Sequence, residues 1–395
     1  MVSSSSYRVL ISTGEVSGDL QGSILIESLQ AQAQARGISL EIVALGGDRM
    51  AAKGATLLGN TSSIGSVGLV ESLPFVLPTL AVQRQAKEFL RTHPPDIAVL
   101  IDYLGPNLGM GQFLRARFPD VPLLYYIAPQ EWVWSLGKQN TRQLVKMADH
   151  LLAIFPAEAR YYESYGAQVT WVGHPLVDRM ASVPEHHDAR TKLGIPDDQT
   201  TIALLPASRR QEIRYLMPVM FDAARLIQEH IPSVHFWIPL SLDAYRPAIE
   251  QAIRDYGLQA QIVTEDVRVV LSAADLAIAK SGTVNLEAAI INTPQVVVYR
   301  VNPLTSWIAK HILKFSIPFM SPPNLVNMEA IVPEFLQDEA TPDALAKAAL
   351  ELLLDEKKRK TMQDGYERMR HALGDPGVCD RAATFILDTL LRTHA

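Results

Sequence analysis

The sequence predicts an α/β protein built from two doubly wound, Rossmann-like parallel-sheet domains, the pair facing a central cleft. Three observations carry this expectation. Short apolar runs alternate with amphipathic stretches along most of the chain. The runs are roughly four to six residues long, as expected for strands covered on both faces by helices. The chain has 395 residues, room for two domains of roughly 150 to 200 residues each.

The elements follow in order. Arg8–Ser12 is β-like and passes through a Gly-containing turn into a helix-like segment from Asp19. Ile97–Ile101, Leu123–Ala128, Leu151–Phe155 and Val169–Val172 repeat the pattern, as do Ile202–Leu205, His235–Leu240, Leu276–Ala279 and Val296–Tyr299. Alternation with helices implies parallel strands with right-handed crossovers. About nine such runs are too many for one comfortable sheet. A linker follows Gly173-His174-Pro175, where Ser182–Gln199 is polar and punctuated by proline. The expected division is 7–178 and 179–365, with a charged helical tail, 366–395, free to pack back on the first domain. Ligands in such folds sit beyond the carboxyl ends of the strands.

Composition excludes several classes. Hydrophobic residues make up 48% of the chain and charged residues 20%, which supports a sizeable core. The net charge of −6 argues against nucleic-acid binding. The single cysteine, Cys379, makes neither an internal disulfide nor a Cys-rich zinc site, and fits a reducing compartment. No metal site is marked. Ile64–Val82 is apolar but broken by Pro74 and Pro78, so it reads as a buried or membrane-touching segment rather than a span. Ser306–Ile317 is basic and amphipathic, either an ordinary surface helix or one that lies on an anionic membrane.

Four turns hold the chemistry. Gly14-Glu15-Val16-Ser17-Gly18-Asp19 follows the first strand and precedes a helix. Its carboxylates suit sugar hydroxyls better than phosphate, with a plain strand-to-helix turn as the other reading. Asp102 ends the run Ile97–Ile101, a position that suits a general base or a helix-capping carboxylate. In Leu204–Glu212, Arg209 falls near a helix start, where positive charge calls for an anion such as a diphosphate unless the side chain is simply solvated. Ser281, Gly282 and Thr283 repeat that geometry and offer N–H groups and hydroxyls to phosphate, with Glu287 one turn on for a ribose diol; a plain N-capped helix is the alternative. Tyr125, Tyr126, Trp132 and Trp134 suit sugar rings, acyl chains or a core, and His174 reads as a turn histidine.

Taken in order, these segments resemble the lipid-A-disaccharide synthase family of GT-B glycosyltransferases. The matching pieces are GEVSGD (14–19), GGDRM (46–50), VGLVESL (67–73), IDYLGPN (101–107), YYIAPQEWVW (125–134) and VGHPLVD (172–178). LLPASRRQE (204–212), SGTVNLEAA (281–289), VVVYRVNPLT (296–305), PPNLV (322–326) and PEFLQ (333–337) complete them. The resemblance implies an inverting, metal- and cofactor-independent transfer that joins UDP-2,3-diacylglucosamine to 2,3-diacylglucosamine 1-phosphate, giving a β-1,6 disaccharide and UDP. It implies a cytoplasmic enzyme peripheral on the inner membrane, with a homodimer left open.

By resemblance Asp102 is the base. The resemblance places donor contacts at Arg209, Glu287 and Asn324; from the turns themselves Ser281, Gly282 and Thr283 are expected beside them, and Gly14, Glu15, Ser17, Gly18, Asp19, Asn107 and Trp132 are expected on the acceptor side. The sequence departs from the family pattern at Gly105, where an aspartate is usual, at Gln130-Glu131 and at Ala207. Two rivals stand beside this reading: a UDP-N-acetylglucosamine 2-epimerase-like enzyme and a non-catalytic nucleotide-sugar-binding module.

Overall fold

The computed structural model describes residues 6–61, 76–133, 138–206, 210–300 and 318–394. The chain divides into two units, 1–178 with 374–395, and 179–373. The boundary expected after residue 365 falls inside the helix Glu356–Leu373, and the division comes at the end of that helix.

In the first unit the strands are β1 (Ser6–Ser12), β2 (Ser39–Gly46), β3 (Thr56–Asn60), β4 (Ile97–Ile101), β5 (Leu123–Tyr126), β6 (His150–Ala153) and β7 (Val169–Trp171). They form one sheet in the order β3-β2-β1-β4-β5-β6-β7. In the second unit β8 (Thr201–Leu205), β9 (His235–Pro239), β10 (Ala260–Val263), β11 (Leu276–Lys280), β12 (Gln295–Tyr299) and β13 (Glu334–Leu336) lie in the order β10-β9-β8-β11-β12-β13. Every pairing in both sheets is parallel. The strand order reverses between β1 and β4 in one sheet and between β8 and β11 in the other. These are the points where loops part to opposite faces and leave a crevice at the carboxyl ends.

The central strands are the apolar runs of the sequence. All five residues of β4 and all four of β5 are buried. β3, β10 and β13 are partly exposed edge strands that carry no such run, whereas the edge strand β7 does; β2 is not among the expected runs although its last five residues are buried. Two runs end early. β5 stops at Tyr126 because Ile127 turns left-handed, with φ +58. β6 stops at Ala153, and Phe155 occupies the N-cap position of the helix Pro156–Glu163, its N–H donating to Glu158.

The last helix, Val378–Thr393, belongs to the first unit. It buries Val378, Cys379, Ala382, Ala383, Ile386, Leu387 and Leu390, one face at helical spacing. Against it packs the helix Val16–Ala35, joined by Arg36–Asp388 (2.6 Å) and Thr384 Oγ1 to Gln32 Oε1 (2.8 Å). Asp178 fixes where the last helix begins. Its carboxylate accepts from the backbone N–H groups of Gly377 (2.6 Å), Val378 (3.2 Å) and Cys379 (3.0 Å). Arg381 reaches back to the carbonyl of Val172.

Asp178→Ala is expected to destabilise the protein by about 2–3 kcal/mol, the range for hydrogen bonds to a charged acceptor whose donors are left unmet. Urea unfolding checks this, and an unchanged midpoint would remove the anchor from the account.

Candidate active site

At the reversal in the first sheet, the turn after β1 meets the turn after β4. Asp102 and Tyr103 both adopt left-handed backbone, φ +46 and +45. Two such residues in a row, neither glycine, are strained and persist only where the surroundings determine them. The surroundings are specific. The Asp102 N–H donates to the Ile127 carbonyl (3.0 Å). The Asp102 carbonyl accepts from Tyr125 Oη (2.6 Å) and from Asn107 Nδ2 (2.8 Å). Burial first, and the Glu15 carboxylate second, push the Asp102 carboxyl up to about 6, against the pull of the Tyr103 N–H. Such a group is a base at neutral pH that still holds a proton well.

Gly14 and Gly18 make room for the chain's own side chains. A Cβ on Gly14 would stand 1.7 Å from the Tyr103 ring, and one on Gly18 1.8 Å from Thr13 Oγ1. Their lack of a side chain therefore makes room for the turn's own neighbours. Glu15 is half-buried beside this turn, and Ser17 is exposed.

Asp19 is buried and accepts from the N–H groups of Gly47 (2.8 Å), Met50 (3.1 Å) and Arg49 (3.3 Å), capping the short helix Asp48–Ala52. Asn107, 1% exposed, accepts from Ser12 Oγ (2.8 Å) and donates to the Ile101 and Asp102 carbonyls. The Asp19 and Asn107 side chains, both expected on the acceptor side, hold the turns at the crevice.

Trp132 leans on Phe155, with ring centroids 5.6 Å apart, and Phe155 on His174 at 5.1 Å. Burial lowers His174 to about 4, so its ring is neutral; Nδ1 accepts from the Leu176 N–H, in keeping with a turn histidine. Glu158 was missed by sequence reasoning, although Pro156 and Glu158 in Phe155-Pro-Ala-Glu are a helix-start signal. Its buried carboxyl accepts from the Ala128, Ile154 and Phe155 N–H groups, bracing the segment that leads to Trp132. Burial still pushes it up to about 8.

In the second unit a cavity of about 300 Å³ opens at the carboxyl ends of β8, β9 and β11. Leu205, Pro239, Leu240, Lys280, Val284 and Glu287 line it. Glu287 is 7% exposed and lies 3.8 Å from Arg179 Nη1. Burial raises its pKa, while Arg179 and Arg268 pull it down. Lys280 Nζ pairs with Glu212 at 3.0 Å, tying the turn after β11 to the helix Arg210–Tyr215.

At the start of the helix Thr283–Ile290, the Gly282 N–H donates to Asn285 Oδ1 (2.7 Å) and Ser281 Oγ to the Met320 carbonyl (2.8 Å). Thr283 is exposed. Of the expected Ser-Gly-Thr contacts, Thr283 is the one with its side chain at the surface. Arg209 lies outside the described residues.

Asn324, expected among the donor contacts, is held by the loop that follows its own helix. It is 1% exposed, and both ends of its amide are engaged: Oδ1 accepts from Ile331 and Val332 (2.8 Å each), and Nδ2 donates to Val332 O (2.9 Å) and Glu334 Oε2 (3.2 Å). Glu334 in turn accepts from the Met320 and Ser321 N–H groups. Asn324 therefore supports the Ser281 turn through Glu334 and Met320.

The family model described as lipid-A-disaccharide synthetase matches residues 9–388. Lipid-A-disaccharide synthase of Gloeothece citriformis is 57% identical over 381 residues, 96% of this chain and 99% of that protein. The protein of that name from Burkholderia thailandensis is 36% identical over 93% of this chain and 92% of its own length.

Among solved structures, a putative UDP-N-acetylglucosamine 2-epimerase from Listeria monocytogenes superposes with TM-score 0.64 at 16% identity, covering 96% of this chain and 95% of its own. An Acinetobacter baumannii MurG does so with TM-score 0.58 at 15% identity, covering 97% and 99%. These likenesses show the GT-B fold alone. The full-length family match and the high identities go further: the chain belongs to the lipid-A-disaccharide synthetase family and is an enzyme.

Proposed function

We propose that the chain transfers a 2,3-diacylglucosaminyl group from its UDP derivative to the 6-hydroxyl of 2,3-diacylglucosamine 1-phosphate. The observation that supports this most directly is Asp102, a carboxyl pushed up to about 6 on a strained turn at the β1/β4 reversal. The first unit takes the acceptor and the second the UDP-sugar. As the acceptor oxygen bonds to the donor's anomeric carbon, its proton passes to Asp102. The bond from that carbon to the β-phosphate oxygen breaks on the opposite side, and UDP leaves with the electron pair. The configuration inverts.

Charge growing on the diphosphate is met by Arg209, by Thr283 and by the N-terminus of its helix. Glu287, held near Arg179, accepts from the ribose hydroxyls, and the apolar cavity wall takes the base. Glu15 raises Asp102 and, with Ser17 and Trp132, meets the acceptor sugar.

Acylated substrates come from a bilayer surface, so we place the enzyme peripherally on the inner membrane. Among the described residues no helix is long and apolar enough to cross a membrane. On the helix Val76–Thr92, Leu77 and Leu80 are 77% and 59% exposed, at the end of the apolar Ile64–Val82 stretch. Residues 64–75 of that stretch, and the whole of Ser306–Ile317, lie outside the described residues.

Purified protein given both acylated substrates is expected to release UDP and form the disaccharide 1-phosphate. Asp102→Asn should lower that rate by at least roughly a hundredfold while leaving UDP binding nearly intact. In the parent enzyme the rate should fall on acidification through about pH 6 as Asp102 takes up its proton. A rate flat from pH 7 to about 4.5 would remove Asp102 as the base.

Arg209→Ala is expected to weaken UDP binding and slow transfer, because arginine meets both the bound diphosphate and its more charged transition state. Glu287→Ala should act mainly on affinity. Calorimetric titration with UDP decides, and unchanged dissociation constants in both variants would sink the donor assignment.

The protein should float with anionic vesicles, in part lost at high salt because the basic contribution is screened. No flotation at either salt, even with acylated substrate present, would favour a soluble substrate.

A further inference from the structure

We propose that Tyr125 is a positioning residue for Asp102, its hydroxyl holding the Asp102 carbonyl and so keeping the left-handed turn in place. This rests on the reading of Asp102 as the base. In the β4–β5 ladder Tyr125 stands opposite Leu100, and its hydroxyl reaches two residues beyond that partner to the Asp102 carbonyl at 2.6 Å.

The side chain is fully buried in the hydrophobic cluster around Leu10, Leu100 and Leu123. Phenylalanine would fill such a site equally well, so packing alone gives no reason for a hydroxyl there. The carbonyl does give one. With Asp102 at φ +46 the strand has ended, and two side chains, Tyr125 and Asn107, supply the donors its carbonyl receives. Asn107 is itself fixed by Ser12 Oγ, so the clasp joins β1, β4 and β5 at one point. Burial raises the phenol well above its usual range, so it is a donor at every working pH.

Without the Tyr125 bond, the strained turn loses one of the three backbone bonds made by Asp102 and is free to relax. The carboxylate then samples positions away from the acceptor hydroxyl and regains water. The consequence falls on the rate and on the acid limb of the pH profile, not on nucleotide binding.

The test compares Tyr125→Phe, Tyr125→Leu and Asp102→Asn as purified full-length proteins. The readouts are steady-state rates from about pH 5 to 9, titration with UDP and thermal unfolding. Tyr125→Phe is expected to lower kcat about tenfold, the factor that one hydrogen bond supports, with both KM values within about twofold. Its acid limb should move down by about one pH unit as burial of Asp102 lessens. Tyr125→Leu should lose at least as much, and UDP affinity should hold in both.

If Tyr125→Phe keeps the parent kcat and acid limb while Tyr125→Leu loses activity, Tyr125 is a packing residue and the proposal is overturned. A fall in kcat with an unmoved acid limb, or in step with UDP affinity, overturns it as well. Near-parent turnover in Asp102→Asn would instead overturn the underlying reading of the base, an outcome separate from any result at Tyr125.

Discussion

Two consecutive left-handed residues at the end of β4 are the constraint around which the first unit is arranged. An L-residue in that region costs about 1–2 kcal/mol, so Asp102 and Tyr103 need compensation from several directions. The Ile127 carbonyl, Asn107 and Tyr125 supply it for the backbone of Asp102. Tyr103 then lies across the turn after β1, which is why Gly14 has room for no side chain. Ile127, itself left-handed, ends β5 at the same level. The turns after β1, β4 and β5 are thus mutually dependent, and a carboxyl group sits where they meet.

A common device recurs elsewhere. Asp19, Asp178, Glu158, Asn324 and Glu334 each accept from two or more backbone N–H groups of a loop or a helix start. Buried loops need such partners, because an unmet amide costs about 1–3 kcal/mol. Side chains with ligand-like chemistry are therefore used to build the crevice. At the same turns Asp102 and Glu15 are partly buried, and Ser17 and Thr283 are exposed.

The same distinction explains the elements that the sequence revealed and those that it concealed. Central strands such as β4 and β8 are legible because helices on both faces demand continuous apolar runs. β3, β10 and β13 are not, because half-exposed strands make no such demand, while β2 is buried over its last five residues and still stands outside the expected runs. The final helix was legible as helical, but its place against Val16–Ala35 depends on the Asp178 carboxylate, 199 residues from Gly377. Nothing local encodes that pairing.

The sequence by itself determined the two parallel sheets, the turns at their reversal points and the identity of Asp102 and Glu287 as the groups to watch. Period, apolar run length and the residue after a strand are local properties, and they are written in the chain. Only the tertiary structure decided which backbone groups the motif residues hold. Asp19, Asn107 and Asn324 carry the same functional groups whether they bind sugar or bind backbone. Asp19 and Asn324 accept from backbone N–H groups and Asn107 donates to backbone carbonyls, partners that come within about 3 Å only when the turns have formed.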